Sequence, residues 1–279
     1  MTNSRKIEAV IFDWAGTTVD HGSLAPVRVL RRVFESHGVP ISEEEARRDM
    51  GLLKRDHIER IVSAPAVSER WLAQNGRRPV AKDAAELFRD FVCLQLECLV
   101  RDSLLIDGVA QTVARLRKRG VKIGSTTGYT REMMDLLVPA VAENGYRADC
   151  VVTPDDVAGG RPHPWMIFRN AIQLRIDHLS TIVKIGDTVS DIEEGLNSGV
   201  WTIGVARTGN MIGMTANDFA ALPHEEQRRR LERARTLLVS ASAHAVVDSV
   251  AECEPILERI EEWIRDGRST SHPVDARNM

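Results

Sequence analysis

The stretch Ile7-Glu8-Ala9-Val10-Ile11-Phe12-Asp13-Trp14-Ala15-Gly16-Thr17-Thr18 decides the fold. It is a short apolar run that ends in an acid and then in a small, hydroxyl-rich turn. A strand of a parallel sheet, covered on both faces, reads as such a run rather than as alternation. Similar runs follow at 121–126, 150–153, 181–186 and 200–205. Amphipathic stretches of helical length fall at 108–119, 130–144, 164–175 and 189–198. Strands alternating with helices predict an α/β fold with a Rossmann-like parallel sheet core and helices on both faces.

Segment 22–102 breaks the alternation. It has helical period, with Val29, Leu30, Val33 and Phe34 on one face, then Leu87, Phe91, Leu94, Leu96 and Leu99. It contains no convincing strand and reads as an inserted α-helical cap domain. The expected organisation is a core of 1–21 and 103–267, a cap of 22–102 and a flexible polar tail of 268–279. Segment 207–235 is Arg-rich and helical, and reads as a solvated helix face.

Composition excludes several classes. With 43% hydrophobic and 28% charged residues in 279, the chain is too apolar for a disordered protein. Its 37 basic residues are outnumbered by 40 acidic ones, which argues against binding nucleic acid by charge alone. No apolar run approaches the roughly 20 residues of a membrane helix. The N-terminus lacks a basic-then-apolar signal pattern. Cys93, Cys98, Cys150 and Cys253 show no C-x-x-C spacing and read as reduced thiols, so a cytoplasmic location is expected.

The chemistry-bearing residues stand at strand ends. The first strand ends at Asp13, the second at Thr126-Thr127-Gly128-Tyr129, the fourth at Gly186-Asp187-Thr188-Val189-Ser190-Asp191. Gly159-Gly160-Arg161-Pro162-His163-Pro164 precedes that fourth strand. A parallel sheet brings such ends to one edge, where ligands bind. Grouped carboxylates suit a hard cation such as Mg²⁺. A hydroxyl, turn amides and Arg161 suit a phosphoryl group. An ionised Asp13 there could attack phosphorus and form an aspartyl phosphate. Thr188 would either contact the phosphoryl group or only cap the helix after it.

D-x-x-G-T, a strand-end Thr, R-P-x-P and G-D-x-x-x-D, in this order, resemble the haloacid dehalogenase-like superfamily. One departure is informative. Phosphatases and mutases of that superfamily usually carry a proton-donating Asp two positions after the nucleophile, and here that position is Ala15. Asp-Trp-Ala-Gly-Thr, Met50-Gly51-Leu52-Leu53-Lys54-Arg55-Asp56-His57 and Gly124-Ser125-Thr126-Thr127-Gly128-Tyr129-Thr130 resemble its phosphonatase branch, from Ile7 to about Thr215.

The resemblance implies Mg²⁺-dependent cleavage of the phosphorus–carbon bond of phosphonoacetaldehyde, through a lysine Schiff base and an aspartyl phosphate. It implies Asp13 as nucleophile and metal ligand, with the Ala15 carbonyl and Asp187 as the other metal ligands and Asp191 behind them. Thr127, Gly128 and Arg161 would hold the phosphoryl oxygens, and a homodimer is expected. The leaving atom is then carbon, whose electrons enter the iminium, so Ala15 is the expected residue.

Only six lysines are present: Lys6, Lys54, Lys82, Lys118, Lys122 and Lys184. The resemblance assigns the Schiff base to Lys54 in the cap. Burial and nearby charge from Arg55 or Arg161 would lower its pKa. Lys184, within the fourth strand, reads as structural or as a surface stem. Met50 and Tyr129 are expected to line the pocket. His57 would either shuttle protons at the imine or fill the cap interface, and Trp14 would pack against the cap or shield the pocket. The rival readings are another haloacid dehalogenase-like phosphatase or phosphomutase, and a catalytically silent relative.

Overall fold

The computed structural model describes residues 6–270. Six strands form one wholly parallel sheet in the order β3-β2-β1-β4-β5-β6. In chain order, β1 (Ala9–Phe12) is followed by five helices: α1 (Leu24–Ser36), α2 (Glu43–Arg47), α3 (Lys54–Ser63), α4 (Pro65–Asn75) and α5 (Ala81–Asp102). Then come α6 (Val109–Lys118), β2 (Lys122–Thr126), α7 (Arg131–Ala142), β3 (Cys150–Val152), α8 (Trp165–Leu174) and β4 (Ile182–Gly186). The chain finishes with α9 (Val189–Asn197), β5 (Trp201–Val205), α10 (Ala216–Ala220), α11 (His224–Ser240), β6 (Ala245–Val247) and α12 (Glu254–Arg265).

The α/β sheet expected from the apolar runs is present. β1 lies at its centre, with all four of its residues buried, because both faces are covered by helices. The strand order steps from β1 outward to β2 and β3 on one side and to β4, β5 and β6 on the other. Such a reversal opens a crevice at the carboxyl ends of the neighbouring strands. β6 has no counterpart in the sequence reading, since three residues give too little pattern to see. In place of the proposed solvated face alone, 207–235 is a loop at 207–214 and the two helices α10 and α11. On α11 the arginines are mostly exposed; Arg228, Arg229 and Arg230 pair with Glu225 and Glu226 one turn away, and Arg235 reaches Asp248.

Within the helical segment 22–102, α1 and α3 both lie along α5, where Leu87, Phe91 and Leu99 are fully buried beside Leu30, Val33 and Ile58. Local chemistry sets the helix ends: Ser42 and Glu45 form a capping box on α2, and α4 starts at Pro65 and stops at Gly76 with φ 69°. At the tail, the Thr270 hydroxyl donates to the Gly199 carbonyl at 3.1 Å, and His244 meets the Thr270 carbonyl. The rest of the tail, 271–279, lies outside the described residues. The four cysteines are unpaired. No helix among the described residues is long and apolar enough to cross a membrane.

Candidate active site

β1 and β4 are neighbours, so their ends bring Asp13 and Asp187 together. Asp191 follows one turn into α9. Oxygens of all three carboxylates lie within 4.8 Å of one another, and all three side chains are buried. Each is oriented differently. Asp187 accepts from the Thr17 hydroxyl at 3.0 Å and from the Asn210 amide at 2.7 Å. Asp191 accepts from the Thr188 hydroxyl at 2.6 Å and the Thr188 amide, so Thr188 caps α9. Asp13 meets Arg161 at 2.8 Å.

The charges do not balance evenly. Arg161 reaches Asp191 at 3.0 Å and Glu194 at 3.0 Å, and its Nη2 also donates to the Thr126 carbonyl. Lys184 reaches Asp191 at 2.8 Å and donates to the Thr126 hydroxyl at 2.9 Å. Two cations therefore serve Asp191 and Glu194, while Asp187 has no basic partner among its bonds. Burial, then the neighbouring charge of Asp13 and Asp191, holds the Asp187 carboxyl well above its ordinary range. Burial and Asp191 also raise Asp13, against the pull of Arg161 and Lys184. Burial opposes ionisation of Asp191 too, but Arg161 and Lys184 outweigh it and lower the group.

A hard cation between Asp13 and Asp187 would relieve that repulsion, and an all-oxygen donor set suits Mg²⁺. The backbone shape fits as well. Gly16 has φ +87°, and a Cβ there would fall 2.4 Å from the Asp187 carboxylate. Only glycine lets the turn after Ala15 come this close.

Lys54 opens α3 and points its amine at the Met50 sulfur, 3.3 Å away, and over the Tyr129 ring at 5.9 Å. The side chain is buried, and burial pushes its pKa down to about 8. Asp13 and Asp187 pull upward, while Arg161 adds to the depression. Arg55, the other expected source of charge, does not act on it and sits over the Phe88 ring at 5.1 Å instead. The loop before Lys54 rests on the core: a Cβ on Gly128 would fall 2.4 Å from the Leu52 carbonyl.

One cavity of about 20 Å³ is walled by Asp13, Ala15 and Arg161 from one side and Met50 and Lys54 from the other, with Thr127, Gly128 and Tyr129 between. The larger surface grooves, such as that between α5 and α7, carry none of these residues. His57 and Trp14 do not line the cavity. His57 is fully buried one turn beyond Lys54, with both ring nitrogens unpartnered. Burial and the Lys54 charge hold it well below its ordinary pKa, so it is neutral. Trp14 is buried edge-on against Tyr146, ring centroids 5.2 Å apart.

Of the two readings of Lys184 the structural one holds: it is fully buried in the ion cluster and is no surface stem. Other residues escaped the sequence reading. Glu194 stands three residues after Asp191, hence on the same helix face. Ser23 lines the cavity with its hydroxyl unpartnered. Thr17, the last residue of the D-x-x-G-T motif, orients Asp187; Asn210, which does the same through its backbone amide, had no sequence signal.

The family profile of haloacid dehalogenase-like hydrolases matches residues 7–199. The chain belongs to this family of hydrolytic enzymes, and within it stands with the phosphonoacetaldehyde hydrolases. The phosphonoacetaldehyde hydrolase of Bacillus cereus strain B4264 is 44% identical over 256 residues, 92% of this chain and 97% of that protein. The one from Bacillus anthracis is also 44% identical, over the same shares. Among solved structures, a phosphonoacetaldehyde hydrolase-like protein from Oleispira antarctica superposes with a TM-score of 0.92 at 36% identity. That match covers 94% of this chain and 95% of the other.

Proposed function

We propose that the enzyme converts phosphonoacetaldehyde and water to acetaldehyde and phosphate. One observation carries the reading. The buried Lys54 amine and the Asp13 carboxylate face the same cavity, while position 15 offers no proton donor. An amine and a carboxylate so arranged suit a substrate with an aldehyde at one end and phosphorus at the other.

The steps follow from the side chains. Neutral Lys54 adds to the aldehyde carbon, and the carbinolamine takes up one proton from solvent and loses water, forming a protonated imine. Asp13 attacks phosphorus, the phosphorus–carbon bond breaks, and its electron pair moves into the iminium to give an enamine. The leaving atom is carbon and needs no acid beside the nucleophile, which accounts for Ala15. Water then hydrolyses the aspartyl phosphate to Asp13 and phosphate. The enamine takes a proton at carbon, and water releases acetaldehyde and free Lys54. Arg161, Thr127 and Gly128, which line the same cavity as Asp13, would hold phosphoryl oxygens. Mg²⁺ would be held by Asp13, Asp187 and the Ala15 carbonyl. Bound there, it offsets repulsion between the attacking carboxylate and the anionic phosphoryl group.

In this reading 22–102 acts as a cap over the core 1–21 and 103–267, and its closure keeps bulk water off the imine. The protein works in the cytoplasm as a homodimer, for which exposed Trp165 and Ile172 with half-buried Phe168 offer one apolar face of α8. The test is trapping. Incubation with phosphonoacetaldehyde and Mg²⁺, then borohydride and peptide mapping, should place a reduced two-carbon adduct on Lys54. No adduct on any lysine of folded, metal-loaded protein would remove the reading. Brisk turnover of aryl phosphates would then favour an ordinary phosphatase.

A further inference from the structure

Arg47 ends α2, in the cap segment, and divides its guanidinium between that segment and the core, where it meets Asn210 and Gly213. Its side chain is only 12% exposed. Nη1 donates to the Gly22 carbonyl at 2.9 Å and to the Asn210 side-chain and backbone oxygens at 3.0 and 3.2 Å. Nη2 donates to the Gly213 carbonyl at 3.3 Å, and Nε to Glu43 at 2.7 Å on its own helix. Asn210 answers with its side-chain amide, which donates to the Arg47 carbonyl at 3.2 Å. The fit is tight: a Cβ on Gly213, at φ +66°, would fall 2.9 Å from the guanidinium carbon.

Asn210 holds a second partner. Its backbone N–H donates to Asp187 at 2.7 Å. One residue of the 208–214 loop therefore grips Arg47 with its side chain and Asp187 with its backbone. The acceptors Arg47 finds on the core are all carbonyl or amide oxygens, which converge only while α2 is seated. Multiple N–H donors in a planar fork suit that convergence, and an ammonium cannot reproduce it. The active-site cavity of about 20 Å³ holds about one water, so substrate can be admitted only when cap and core part. Parting them would break the bonds between Arg47 and Asn210, which anchor the loop that carries the amide on Asp187.

We propose that Arg47 and Asn210 form a latch that couples seating of the cap to the orientation of Asp187. Arg47 is thus a positioning residue for the site on the far side of the loop. This rests on the reading of Asp187 as a metal ligand.

The test reads metal binding in the full chain without substrate, using Mn²⁺ as probe and electron paramagnetic resonance to count the free ion. Arg47→Ala and Asn210→Ala should each weaken Mn²⁺ binding about five- to tenfold, and the double variant should be no worse than either. Arg47→Lys should rescue little, and kcat should fall more than KM rises. Asn210→Ala keeps the backbone amide and carries the test if Arg47→Ala does not fold. Wild-type Mn²⁺ affinity in the single variants, or additive losses in the double, overturns the latch while Asp187→Asn still abolishes binding. Wild-type affinity in Asp187→Asn overturns instead the reading of Asp187, and the latch with it.

Discussion

Competitive labelling of amines across a pH series would read the proton affinity of Lys54 in the substrate-free enzyme. Burial is the largest influence on this amine and Arg161 adds to it, giving a pKa of about 8 against 10.5 for a free lysine. The neutral amine is the nucleophile. At pH 7.5 a group with pKa about 8 is about one-quarter neutral, whereas one at 10.5 is about one-thousandth neutral. The site thus raises the reactive form about 200-fold. Labelling by acetic anhydride, quantified peptide by peptide, should give Lys54 an inflection near pH 8, falling tenfold per unit below it. Lys82, whose side chain is 83% exposed, supplies a solvent-exposed comparison in the same digest. The charge of Asp13 pulls the amine upward, so Asp13→Asn should move the inflection lower still. The same shift is a stability statement. Between about pH 8 and 10.5 the unfolded chain keeps a proton that the folded protein gives up, so stability rises with pH across that window. Below it, the buried ammonium costs about 3 kcal/mol. A Lys54 curve with no inflection below pH 10 would refute the reasoning.

Other expectations follow from single contacts. Gly128→Ala would drive a Cβ into the Leu52 carbonyl and stop the Lys54 loop from seating; kcat/KM should fall about 100-fold with an unchanged circular dichroism spectrum. Glu194→Ala would strip a carboxylate from buried Arg161 and Lys184, and urea titration should show a loss of about 3–5 kcal/mol. Gly16→Ala should abolish Mn²⁺ binding measured by paramagnetic resonance, because the added methyl lands on the Asp187 carboxylate. Chelation of Mg²⁺ should stop turnover, and readdition should restore it.

Much of the architecture was legible because buried parallel strands are written as apolar runs. β1 to β5 lie inside the expected segments, as do α6, α7, α8 and α9. β6 was not, since Ala245–Val247 is too short to carry a period and is defined by pairing with β5. The motif residues at the strand ends were legible for a related reason. Asp13 and Asp187 belong to local patterns whose meaning depends only on a strand stopping there. Arg161 was legible as a cation near the nucleophile, but not its engagement with Asp13, Asp191 and Glu194.

Local pattern is a property of neighbours in the chain, and it sufficed for the sheet, for the helical segment after β1 and for the candidate nucleophile, while the amine was assigned by the resemblance. Partnership across the fold is a different quantity. Thr17 meets Asp187 across 170 residues, Arg47 meets Asn210 across 163, and Lys184 meets Thr126 across 58. Nothing in the intervening chain specifies those pairs. They arise because crossover connections place distant strand ends on one edge, where burial makes an unpaired charge costly. The depressed pKa of Lys54 has the same origin: it comes from what α3 is pressed against, which only the closed tertiary arrangement supplies.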